Sequence, residues 1–495
     1  MQRKGPRMFM PQLDRASREG LQKQIIRQII AAIAAGSLRP DEPLPGIREA
    51  SVRWGVSRNT VVLVFEYLET EGYLQTRPSR GTFVHPSPPC STSSVVMLGN
   101  ERGMEAASLG GQVWPDQAFI GDPARYSGTQ DGVFNLGFGS DMPLYRFPAW
   151  QKTIERLLLR DNWRRGGEFQ PNAGLPFLRS ALARWLNLRH GVAIDPQQIL
   201  VITGLQQAHS IIAHALLQKG DSVILEDPCY PGKRQLYEKL GMHIVDGAID
   251  RKGLKLAELA PEQARLLCVN PGCHIPTNVT LSLPRRKQIA SLAVQDRCLV
   301  FEESMYDLLS LEKKPLPSLL SLTEGRNLLH AGLFAPCLGG GLMLGYLVVP
   351  WALLPAVLEA KLLTGNGLPW LEQEALARMI DTGELDNALR RTRVVMMRRR
   401  EAFMAALERF LGRLEFCGTE HAPRLSWFMP GHHGCVADFI AKAENAGIRF
   451  PGNYAAPGIR STAGLPELQS LISHGYGEVP EESADTLFAR LRATA

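Results

Sequence analysis

Gly332-Leu-Phe-Ala-Pro-Cys-Leu-Gly-Gly-Gly-Leu-Met-Leu-Gly-Tyr346 passes from an apolar run, through a proline and three glycines, into a second apolar run, Leu344-Gly-Tyr-Leu-Val-Val349. The second run is short and unbroken, as in a strand covered on both faces. Similar runs recur upstream: Ile199-Leu-Val-Ile-Thr203, Ser222-Val-Ile-Leu225, Leu266-Leu-Cys-Val269 and Cys298-Leu-Val-Phe301. Helical segments separate them. The alternation predicts an α/β body over residues 133–495, with a mostly parallel sheet covered by helices. Gly339-Gly-Gly341 supplies backbone freedom in the middle of the quoted stretch.

The 495 residues are 45% hydrophobic and 21% charged, the composition of a globular protein with a large core. No apolar run is long enough to span a bilayer, and the basic N-terminus lacks an apolar signal core, so a cytoplasmic protein without membrane contact is expected. The eight cysteines are scattered without Cys-x-x-Cys spacing and read as reduced thiols. The net charge is +6, and its location is informative: residues 1–86 hold 13 Lys/Arg against 8 Asp/Glu. A basic end on a nearly neutral body points to a polyanion-binding module.

That module is predicted over residues 14–86. Residues 20–35 carry apolar positions at helical spacing, with Gly36 as the stop. A proline-rich loop follows (Pro40, Pro43, Pro45), then a short helix from Gly46 to Trp54, broken by Gly55. Ser57 is suited to cap the next helix, Arg58 to Gly72. Two strand-like runs, Tyr73-Leu-Gln-Thr and Gly81-Thr-Phe-Val, are joined by Arg77-Pro-Ser-Arg80. Three helices followed by a hairpin is the order of a winged helix-turn-helix. Residues 87–132, rich in Pro, Ser and Gly, read as a flexible linker.

Arg48-Glu-Ala, Trp54-Gly-Val-Ser-Arg-Asn-Thr-Val61 and Glu71-Gly-Tyr-Leu resemble the GntR family of bacterial regulators over residues 15–84. The resemblance implies a double-stranded DNA operator as partner. Ser57, Arg58, Asn59 and Thr60 open the second helix of the motif, whose N-terminal residues reach base edges. Arg58 is matched to guanine and Asn59 to adenine. Arg48 resembles the family arginine that grips DNA from the preceding helix. Arg77 and Arg80 are expected at the wing tip, where Gly81 lets the backbone approach a groove. Lys23 and Arg27 fit phosphate-range charge or plain solubility. The competing reading of the module is a small helical protein-interaction domain with a solvated charged face.

Fusion of such a module to a fold-type I aminotransferase-like body resembles the MocR subfamily. Phe169-Gln-Pro-Asn-Ala-Gly-Leu-Pro-Phe-Leu-Arg179 and Glu226-Asp-Pro-Cys-Tyr-Pro-Gly232 resemble landmarks of that fold, and Thr203-Gly-Leu-Gln-Gln-Ala208 resembles its phosphate-cradling turn. The family cofactor is pyridoxal phosphate (PLP). The resemblance makes Gly204, Leu205, Gln206, Tyr230, Ile275, Glu303, Tyr306, Pro336 and Met343 the lining of a remnant or repurposed pocket. The departures cluster at the chemistry. The Schiff-base lysine position aligns with Pro336, its neighbouring serine with Ala335, and the phosphate arginine with Met343. The asparagine that bonds the ring hydroxyl aligns with Ile275, the phosphate tyrosine with Phe169, and the substrate-carboxylate arginine with Ile472. The aspartate that pairs with the pyridinium nitrogen aligns with Glu303. Proline has no amine for an imine, and Lys313, Lys314 and Lys361 offer no obvious substitute.

The expected protein is therefore a transcription regulator with no catalytic residue and no covalent cofactor. By family resemblance its body forms a head-to-tail homodimer and senses an unknown effector or partner. Two alternatives stay open: a regulator that still binds PLP, non-covalently or through another lysine, and an active aminotransferase. His432-His-Gly-Cys435 reads as an exposed turn rather than a metal site. Arg390-Arg-Thr-Arg and Arg398-Arg-Arg-Glu read as a solvated helix face or dimer contact rather than a second DNA site.

Overall fold

The computed structural model describes residues 9–15, 17, 19–89, 133–136, 148–159, 167–312, 314–338, 342–365, 367–419, 422–431, 435–450 and 468–493. The expected linker from Cys90 onward, Lys313, Gly339–Gly341 and His432–Gly434 lie outside them. The chain divides into two compact units, residues 1–117 and 118–495. Among the described residues no helix is long and apolar enough to cross a membrane.

The first unit contains α1 (Leu21–Ala34), α2 (Ile47–Trp54), α3 (Arg58–Thr70), β1 (Leu74–Arg77) and β2 (Gly81–Val84). Helical spacing sets its core: Ile25, Ile29 and Ile33 of α1 meet Val61, Val64, Phe65 and Leu68 of α3. Trp54 seals one end, edge-on to Phe9 and Phe65. Gly55 ends α2 in the left-handed region, at φ 63°, a conformation open to glycine. Ser57 Oγ then accepts the Thr60 amide at 3.1 Å and caps α3. The hairpin is antiparallel and closes with Arg77 opposite Gly81. The predicted winged helix-turn-helix order is the observed one.

In the second unit the order is β3 (Phe134–Asn135), α4 (Pro148–Leu159), α5 (Pro176–His190), β4 (Ile199–Ile202), α6 (Leu205–Leu216), β5 (Ser222–Asp227), α7 (Pro231–Lys239), β6 (His243–Asp250), β7 (Gly253–Leu254), β8 (Leu266–Val269), α8 (Leu283–Val294), β9 (Leu299–Ser304), α9 (Leu319–Thr323), β10 (Leu328–Leu333), α10 (Ala335–Leu338), β11 (Gly345–Val348), α11 (Leu354–Thr364), α12 (Trp370–Asp381) and α13 (Glu384–Leu411). A smaller C-terminal part follows: β12 (Glu415–Phe416), β13 (Leu425–Phe428), α14 (Val436–Asn445), β14 (Ile448–Arg449), β15 (Leu471–His474) and α15 (Ala484–Ala493).

Eight strands form the main sheet in the order β4-β11-β10-β9-β8-β5-β6-β7. From β10 to β6 the neighbours are parallel; β11 runs antiparallel between β4 and β10. Both faces are covered, which explains the unbroken apolar runs. On β4, Leu200 and Ile202 enter one core with α6 and α11, while Ile199 and Val201 enter the other with α5, α8 and α12. Strands β6 and β10 have no counterpart among the runs picked out of the sequence. The C-terminal ends of β5, β8 and β9 lie side by side, the edge where open α/β sheets bind ligands.

Candidate functional site

Two sites need description, one in each unit. In the first, α3 begins with four polar residues. Ser57 and Thr60 bond each other, hydroxyl to hydroxyl at 2.8 Å, and are spent on the cap. The side chains of Arg58 and Asn59 are exposed and make no hydrogen bond or ion pair with the described residues, and the same holds for the side chains of Arg48 on α2 and Arg80 in the wing turn. These groups retain their full donor capacity for a partner. Gly81 is exposed at φ 100°. Arg77 departs from expectation. It stands at the tip end of the hairpin, opposite Gly81, but its guanidinium pairs with Asp41 and lies 4.7 Å from the Phe83 ring centroid, so it is already engaged within the fold. Arg27 is likewise taken up, by Glu19 at 3.1 Å. A bond from Arg15 to the Gly55 carbonyl, 2.6 Å, ties the leading segment to the turn of the motif.

In the body, Glu303 ends β9 as expected, and it is buried. Its carboxylate is already engaged. Lys233, in the first turn of α7, donates to Oε1 at 2.7 Å, and His209 Nε2 of α6 lies 3.4 Å from the same oxygen. Lys233 is itself only 5% exposed. Burial disfavours the Lys233 ammonium, but the Glu303 charge outweighs it and lifts the amine above its ordinary range. Burial also disfavours the Glu303 carboxylate; Lys233 and then His209 overcome that and hold it well below the usual range. His209 stays neutral because burial lowers its pKa. Its other nitrogen meets the Tyr237 hydroxyl at 2.9 Å.

A second buried carboxylate, Glu226 at the end of β5, accepts the Asn270 amide at 2.9 Å. Burial pushes it up to about 8, with Lys233 opposing. Its neighbour His274, Nε2 at 3.8 Å, is driven down to about 3 by burial. Lys233 and Glu303 thus form a buried ion pair flanked by His209, with Glu226 and His274 alongside.

Ile275 and Tyr306 are buried with Cys273 and Ala422 in a small apolar cluster. Arg424 donates to the Tyr306 hydroxyl at 3.3 Å and lies 5.8 Å from its ring centroid. At the expected phosphate turn, Gly204 precedes α6 and Leu205 begins it, but the Thr203 amide is taken by Gln207 Oε1 at 2.8 Å. A Cβ on Gly204 would lie 3.1 Å from Met343 Cε, so an apolar methyl covers the start of the helix. Gln206 donates to the Gly232 carbonyl at 3.0 Å. Tyr230 folds over Gly232, where a Cβ would meet its ring at 2.4 Å; it is a half-exposed lid on its own helix start. Asn278 takes the left-handed region, φ 56°, and donates to Ser426 Oγ at 2.7 Å. Pro336 is buried in α10.

Tested against PLP, these residues do not fit. The acid that would hold the ring cation carries an ammonium already. A ring cation bonded to the same carboxylate would share it with the Lys233 ammonium, and like charges brought together in a buried site repel. At the start of α6 a Met343 methyl, not a cation, lies over Gly204. Lys361, the other buried lysine among the described residues, has no ion pair, and burial lowers it to about 8. It lies on the α11 face that carries Leu354, Val357 and Ala360, and α11 packs on α6. No contact joins it to Glu303.

Sequence reasoning missed Lys233 and His209. Lys233 directly follows the quoted Glu226–Gly232 landmark, and a basic residue one position past that landmark was the available signal. No group of three or more metal-ligating side chains exists among the described residues.

Residues 134–430 match the family "Aminotransferase class I and II", and residues 21–84 match "Bacterial regulatory proteins, gntR family". The chain is 27% identical over 399 residues to the probable rhizopine catabolism regulatory protein MocR of Rhizobium meliloti, covering 81% of this chain and 79% of that protein. It is 28% identical to the HTH-type transcriptional regulator TauR of Rhodobacter capsulatus, covering 78% and 80%. Among solved structures, the multiple substrate aminotransferase of Thermococcus profundus superposes with a TM-score of 0.64 at 21% identity, over 74% of this chain and 92% of that one. LysN, the α-aminoadipate aminotransferase of Thermus thermophilus, gives 0.63 at 22%, over 74% and 92%. At these identities the solved structures establish the fold.

Proposed function

We propose that this chain, which belongs to the aminotransferase class I and II family and carries a GntR-type module ahead of the family domain, is a DNA-binding regulator of transcription. The observation that carries the reading is the start of α3. Arg58 and Asn59 stand exposed and unbonded at the end of a helix that reads bases in this motif. The names of the MocR and TauR relatives support it.

The body serves as a platform for pairing two readers and receiving a signal, without aminotransferase chemistry. Pro336 supplies no amine, and Glu303 is occupied by Lys233. Phe169 is 96% exposed and Leu363 82% exposed. Exposed apolar side chains of this size are candidates for a homodimer contact. Two readers on one dimer multiply weak single contacts into operator affinity. A cytoplasmic location follows from a DNA partner.

Footprinting on the region upstream of the protein's own gene tests the reading. Protection of paired half-sites, with affinity falling steeply as salt rises, is the expected result. Absence of protection at every salt concentration overturns it. Light scattering tests the dimer: a mass near 55 kDa in dilute solution, that of one 54.7 kDa chain, refutes it.

A further inference from the structure

Lys233 is placed where its charge is needed. The strand β5 ends at Asp227, and Pro231 opens α7 four residues later, so the third residue of the helix reaches back over the sheet edge. There it meets Glu303 from β9, two strands away in the order β9-β8-β5. Among the described residues, Lys233 Nζ and His209 Nε2 are the polar neighbours of the Glu303 carboxylate, and both come from this chain. Neither a water-filled gap nor an external cation is required to neutralise it.

We infer that Lys233 is a built-in replacement for the cofactor's ring cation, and that the body is therefore cofactor-independent, folding and pairing without PLP and not reading its concentration. The inference deepens the proposed loss of aminotransferase chemistry. It removes non-covalent PLP as the signal, which the absence of a lysine at Pro336 alone does not do. The reasoning is one of geometry and charge: a buried carboxylate already held at 2.7 Å by an ammonium gains nothing from a second cation, and the Met343 end gives no compensating hold on a phosphate.

The test uses the full-length protein and two probes. Pyridoxamine 5′-phosphate has the ring nitrogen and the phosphate but no aldehyde, so surface lysines cannot trap it. Equilibrium dialysis of the wild type is expected to show no binding at millimolar probe. Micromolar binding that E303Q abolishes overturns the inference. The second probe, N-methylpyridinium, is a permanent ring cation. K233A leaves Glu303 with an open place beside it, and the probe is expected to raise its unfolding midpoint by on the order of 2 °C or more. The wild type and K233A/E303Q are expected to show no such rise. A folded K233A indifferent to the cation overturns the inference; if K233A does not fold, the dialysis result decides. Footprinting remains a separate readout, so failure here leaves the regulator reading standing, and failure of footprinting leaves the charge argument standing.

Discussion

The start of α3 and the end of β9 present charge in opposite ways. At α3, Arg58 and Asn59 stand in solvent with no intramolecular partner. At β9, Glu303 is buried and held by Lys233 and His209. Charged groups kept for a partner must be left unpaired in the free protein, and water makes that inexpensive at a surface. A buried charge has no such option and must be neutralised from within. The difference separates a site built to receive something from one that has been closed.

Breaking the closed site should have the largest effect. Lys233→Met leaves the buried Glu303 carboxylate without its cationic partner, and a loss of about 3–5 kcal/mol is expected in urea unfolding. Adding Glu303→Met should recover most of it. Additive losses would show that the two side chains do not act as a pair. At the open site, Arg58→Ala should weaken operator binding by about 1–3 kcal/mol, roughly five- to 150-fold, with the urea midpoint of the body unmoved. Equal binding would break the docking scheme.

Lys361 sharpens the contrast, being buried like Lys233 but without a charged partner. Its folded pKa falls from 10.5 to about 8. Between those values the unfolded chain holds more protons than the native one, so its contribution makes stability rise with pH across that window. Lys361→Met should therefore stabilise the protein at pH 7 by on the order of 1–2 kcal/mol and flatten the rise above pH 8. A destabilised variant would reveal a role for the amine. The smallest effect is expected at the cap: Ser57→Ala removes the acceptor for the Thr60 amide and should lower the stability of the first unit by about 1 kcal/mol.

Local patterns were readable where local physics decides the outcome. Ser57 and Gly55 mark helix ends through bonding and backbone freedom that act within a few residues, and the apolar runs of β4, β8 and β11 reflect burial on both faces. Arg77 stands beside the wing turn, but its pairing was not readable because it depends on Asp41, 36 residues away. The contact of the Tyr230 ring with Gly232, in the first turn of α7, was not readable from the sequence. Strand β10 went unseen because His330 interrupts its apolar run. In the structure that histidine is buried against Glu302 at 2.8 Å, so a polar residue sits inside a strand without disrupting it.

The sequence by itself determined the two-part organisation, the winged reader and the parallel α/β body. Each rests on residue type, spacing or resemblance along a continuous stretch. Only the tertiary structure decided that Glu303 is satisfied, because its partner Lys233 stands 70 residues earlier on another element. An ion pair is fixed by distance in space, and that distance exists only once β5, β8 and β9 lie side by side.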